Sequence, residues 1–83
     1  MRFNDTLITQ ETILATRKHF ADIAQRCIDD ATSGKVRVNN LQYYIEWQQG
    51  SIDYVMAGKN DHTFTFLQRA YWLQTGDMPA MFS

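Results

Sequence analysis

YYIEWQQGSIDYVM, residues 43–56, places apolar side chains on two opposite sides of one helix. With Tyr43 at zero and an advance of about 100° per residue, Tyr54 falls at about 20°, Trp47 at about 40° and Gly50 at about 340°. These four form a narrow stripe. Leu41, Tyr44, Ile45, Ile52, Val55 and Met56 spread over roughly 100–220°, nearly opposite, and Gln42, Glu46, Gln49 and Asp53 fill a polar flank between them. The aliphatic side is the expected core face, so the aromatic stripe calls for a separate explanation. It is covered inside the chain, with this helix central between two others or under the tail, or it is a contact surface for a second copy or another protein, or its rings are simply exposed without function. Gly50 bears on the choice. Glycine inside a helix costs about 1 kcal/mol relative to alanine, and here it admits a close approach, or marks a kink, or breaks the helix into two.

Outward from that helix the chain reads as three amphipathic segments. The first covers about residues 9–32. Ile13, Phe20, Ala24, Cys27, Ile28 and Ala31 share one side of it, opposite Lys18, Asp22, Gln25, Arg26 and Asp29, and it ends at Ser33-Gly34. KVRV, residues 35–38, alternates like a strand but has no evident pairing partner, so an extended linker is expected. Asn39 is the expected N-cap of a second helix over about 40–57, with Gln42 completing a capping box, and Gly58 closes it. GKND is a turn, Asp61 the expected N-cap of a third helix over about 62–75, and Gly76 and Pro79 end it. The tail, with Met78, Met81 and Phe82, is expected to fold back on the core. The first eight residues either do the same or extend the first helix. The fold class is therefore all-α, one three-helix domain over residues 1–83 with a short apolar C-terminal tail. The alternative is a helix pair that completes its core as a dimer.

Composition fits a small globular domain: 83 residues, 45% hydrophobic and 20% charged. The formal net charge of −1 lacks the basic surplus of a general nucleic-acid or membrane binder. No apolar run reaches the roughly 18 residues of a membrane span, and the N-terminus does not resemble a secretory leader. The single cysteine excludes an internal disulfide and suits a reducing, cytoplasmic compartment.

No catalytic constellation stands out. His19 and His62 lie in different helices without a ligand set, so no metal or other cofactor is expected. Cys27 sits on an apolar face and is expected to be buried and inert. The glycines are isolated, so no phosphate loop is read and no small-molecule substrate is assigned. Asp29 and Asp30 read as solvated. Arg17 interrupts the apolar side of the first helix, with its stem on the core and its head at the edge, or else as a buried partner for an acid or reaching across an interface.

In the third helix Phe64, Phe66, Leu67, Ala70, Tyr71 and Leu73 cover a wide arc, and Trp72 stands apart among Thr65, Gln68 and Arg69. Two helices asking for more cover than one copy supplies favours a homodimer. The function expected is a small non-enzymatic protein–protein interaction or regulatory module, of adaptor, inhibitor or mobile-element accessory type. It acts through Tyr43, Trp47, Gly50, Tyr54 and Trp72. The alternative is a small DNA-binding regulator in which helices two and three form a helix-turn-helix, with Lys35, Arg37, Lys59, Gln68 and Arg69 facing nucleic acid. So few cations would bind weakly and salt-sensitively.

Overall fold

Each helix begins where a short polar side chain takes over a free backbone N–H. In the computed structural model, which describes residues 1–82, Thr9 accepts from the Thr12 amide ahead of α1 (Gln10–Thr32). Asn40 accepts from the Tyr43 amide ahead of α2 (Leu41–Met56), and Thr63 from the Phe66 amide ahead of α3 (Phe64–Thr75). The three helices and their approximate bounds follow the sequence pattern, and residues 35–38 are irregular. Two caps differ from expectation. Asn40, not Asn39, caps α2, which moves Gln42 off the position a capping box requires. Asp61 does not cap α3, and His62 lies before the helix, because the Asp61 carboxylate is engaged elsewhere.

That engagement is with Arg17. Arg17 Nε donates to Asp61 Oδ1 at 3.2 Å, and Nη2 donates to Oδ2, a two-pronged pair between α1 and the α2–α3 turn. Asp61 is buried. The pair fits because Gly58 turns the chain at φ +82° and lacks a side chain. A Cβ there would stand 2.7 Å from Arg17 Nη2. Of the readings of Arg17, pairing with an acid is the one observed.

The first eight residues do not extend α1. They form a hairpin of β1 (Arg2–Phe3) and β2 (Thr6–Leu7), antiparallel, with Arg2 opposite Leu7 and Phe3 opposite Thr6. Asn4 and Asp5 both adopt positive φ, 52° and 59°, as a two-residue hairpin turn demands and as these residue types tolerate. Gln74 holds the hairpin to the end of α3. Its amide donates to Leu7 O at 2.8 Å and accepts from the Thr9 amide at 2.9 Å. Phe3 packs edge-on against Phe64 and tilts against Tyr71.

The central helix is α1, not α2. α2 returns along α1, which brings Gly58 back to Arg17, and α3 packs on the N-terminal part of α1. The main core gathers at this end, with Ile8, Ile13, Val55, Phe66 and Ala70, and Phe3, Phe20, Ala21, Leu67 and Tyr71 around them. Thr16 is also fully buried, and its hydroxyl donates to Thr12 O at 2.7 Å. At the other end Ala24, Ile28 and Ala31 are buried outside that cluster, along the α1–α2 seam. The result is elongated, 44 × 26 × 18 Å. Its radius of gyration is 14.3 Å, against about 12 Å for a compact domain of this length.

A helix with one main neighbour buries a narrow strip. The expected core face of α2 is accordingly uneven: Val55 is buried, Tyr44, Ile45 and Ile52 are half-buried, and Leu41 and Met56 are exposed. Cys27, expected to be buried, is half-buried, because it lies at the margin of the α1–α2 seam. The tail does fold back. Residues 80–82 form a 3-10 turn, and Phe82 stacks on Trp72, although Met81 points outward.

Candidate functional site

The stripe read from residues 43–56 lies on the side of α2 turned away from α1. Tyr43 is 67% exposed, Trp47 61% and Tyr54 48%. Burial inside the chain is therefore not what the structure displays, and a contact surface and functionless exposure are the readings that exposure leaves. α2 runs unbroken through Gly50, so the sequence is not split into two helices there. Around Gly50 a Cβ would meet no atom within 4 Å. Nothing within the chain therefore requires glycine at this position. The missing side chain instead opens a shallow depression bordered by Glu46, Trp47, Ser51, Tyr54 and Asn60.

Two charged groups flank it. The Lys59 ammonium stands 5.6 Å from the centre of the Tyr54 ring, within cation–π range. Glu46 accepts a hydrogen bond from Gln42 one turn back, at 3.1 Å. Among the described residues neither enters an ion pair. The spacing of Tyr43, Trp47, Gly50 and Tyr54 is four, three and four residues. That is the repeat by which one helix presents a straight seam to another.

Trp72 does not belong to this surface. It is half-buried on α3, with its ring stacked on Phe82 at 5.4 Å and 20°. The same cluster holds Arg69, whose guanidinium lies 5.0 Å from the Phe20 ring centre and 4.3 Å from that of Phe82. Arg69 Nη1 is also 3.0 Å from His19 Nε2. Because a guanidinium can only donate, this contact requires the neutral imidazole as acceptor. Partial burial, then the charges of Arg69 and Arg26, lower the His19 pKa from its ordinary 6.5, and Asp22 opposes them. This cluster joins α1, α3 and the tail, and sequence periodicity could not reveal it because its members come from three segments.

The cations assigned to a helix-turn-helix are scattered. Lys35 and Arg37 lie in the connection before α2 and Lys59 in the turn after it. α2 is 16 residues long, so about 24 Å separates its two ends. Arg69 faces inward to Phe20 and Phe82, and Gln68 is half-buried. α2 and α3 each pack chiefly on α1. Among the described residues no three His, Cys, Asp or Glu side chains gather as metal ligands, and no helix is long and apolar enough to cross a membrane. Comparison with known proteins finds no matching family model, no matching curated protein and no matching solved structure.

Proposed function

We propose that this protein is a small non-enzymatic interaction module of regulatory type, and that its working surface is the stripe of Tyr43, Trp47, Gly50 and Tyr54 on α2. The observation that carries the reading is the outward alignment of three large rings around a glycine with no intramolecular use. Aromatic rings with polar tips are the side chains most often found at the energetic centre of protein interfaces. Two cations elsewhere have structural work instead: Arg17 with Asp61, and Arg69 with His19 and two rings.

The test is retention of partners by purified protein, its own chain included, comparing wild type with Trp47→Ala, Tyr54→Ala and Leu14→Ala. Leu14 is exposed on α1, away from the stripe. Trp47→Ala and Tyr54→Ala are expected to lose the association, and Leu14→Ala to keep it. An association that survives both stripe variants would show that the working surface lies elsewhere.

A further inference from the structure

We propose that the occupant of the stripe is α2 of a second copy of this chain, laid antiparallel across the first with the two-fold axis between Gly50 and Ser51. The proposal rests on the stripe reading above and adds the identity and direction of the partner.

Four observations lead to it. The first is the four-three-four spacing, which suits a helix as the occupant rather than a loop or a strand. The second is symmetry. Trp47 and Tyr54 lie equally far from the midpoint of Gly50 and Ser51, about 5 Å along the helix axis on either side. A two-fold rotation there sets Trp47 of each copy on Tyr54 of the other, and two small residues meet where the helices cross. Open space around Gly50 leaves room for that approach.

The third observation is charge, and it selects the direction. Lys59 sits at the Tyr54 end of the stripe and Glu46 beside Trp47. The antiparallel arrangement brings Glu46 of one copy toward Lys59 of the other, on both sides of the axis. A parallel arrangement would set Glu46 against Glu46 and Lys59 against Lys59, which costs affinity. The fourth is area. Rings of this exposure present roughly 250–450 Å² per copy, and the polar flanks add to it. Over both copies the rings alone supply about 500–900 Å², below the ~1,200 Å² where standard stable interfaces begin. An interface of that size belongs with the weak, reversible associations. Because both copies use the same patch, association closes at two.

Sedimentation equilibrium over the micromolar range tests the proposal. Wild type is expected to pass from monomer to dimer. Trp47→Glu should remain monomeric with an unchanged helical circular dichroism spectrum, since Trp47 makes little contact within its own chain. Gly50→Gln provides a second disruption at the crossing point and should weaken the dimer at least about tenfold. Glu46→Lys and Lys59→Glu should each weaken it, and the double variant should restore it. A dimer indifferent to Trp47→Glu and Gly50→Gln overturns the proposal. A double variant no better than the singles overturns the antiparallel direction. A monomeric wild type that captures a different protein in a Trp47-dependent way overturns self-docking and leaves the stripe reading standing. A monomeric wild type with no Trp47-dependent partner overturns both.

Discussion

The two ends of α1 are stabilised in different ways. Near Ile13 and Thr16 the helix meets the end of α2, α3 and the hairpin, and Phe66 is 1% exposed among them. Near Ala24, Ile28 and Ala31 it meets α2 and the connection that follows α1, and the margins hold half-buried Ile23 and Cys27. One end is a core closed on several sides. The other is a two-helix arm closed along a seam. A side chain in the closed core loses contacts in every direction when truncated, whereas one in the seam loses them on one side and water fills the rest. The stripe spans both ends on the outer face of α2, so a rigid core holds one end of it and a looser arm the other.

The largest loss is expected at the closed end, from Phe66→Ala. Removing a fully buried ring should cost about 3–5 kcal/mol. That is a large part of the stability of a domain this small, and chemical denaturation should show the loss in full. A cost under about 1 kcal/mol would mean that the core is not organised around Phe66. Ile28→Ala, in the arm, should cost less, about 2 kcal/mol at the low end for isoleucine truncation, since its surroundings collapse or hydrate more easily. Hydrogen exchange sharpens the same contrast: amides of residues 24–31 and 44–48 should open more readily than those of 13–20 and 66–70. Equal protection at both ends would remove the distinction.

Smaller effects are expected at Gly50 and His19. Gly50→Ala, measured at concentrations where the chain is monomeric, should stabilise the fold by about 0.5–1 kcal/mol, because the new methyl meets open space. Thermal unfolding in dilute solution checks it, and destabilisation would mean that the site is crowded after all. The smallest effect is the pH response of the cluster that ties the tail to α1 and α3. The folded His19 pKa lies below its ordinary 6.5. The unfolded chain therefore binds the proton more readily, and stability rises with pH through this range. The contribution is fully present above about pH 6.5 and is lost as pH falls through the lowered folded value. His19→Gln keeps an acceptor for Arg69 without titrating. It should flatten the difference in melting temperature between pH 7.5 and pH 5, and an unchanged difference would assign the response to other groups.

Several features were legible in residue order. Helical periodicity and the turns at Gly34, Gly58 and Gly76 are local, so three helices could be read from spacing alone. The alignment of Tyr43, Trp47, Gly50 and Tyr54 is equally local, because it depends on 100° steps within one helix. What covers a face is not local. The sequence pattern left α2 as readily central as peripheral, and the tertiary arrangement made α1 central, which thinned the α2 core face and left its stripe facing outward. Trp72 looked like a companion of the stripe until Phe82, ten residues on, stacked upon it. Asp61 looked like a helix cap until Arg17, 44 residues back, engaged its carboxylate. The hairpin turn at Asn4 and Asp5 lay within the reach of local chemistry, but two-residue strands carry too little alternation to be read. Phe3 and Gln74 hold them in place through contacts with distant segments. Periodicity describes which side chains share a side of an element. The choice among sides is made by competition for burial, and that is decided when distant segments meet.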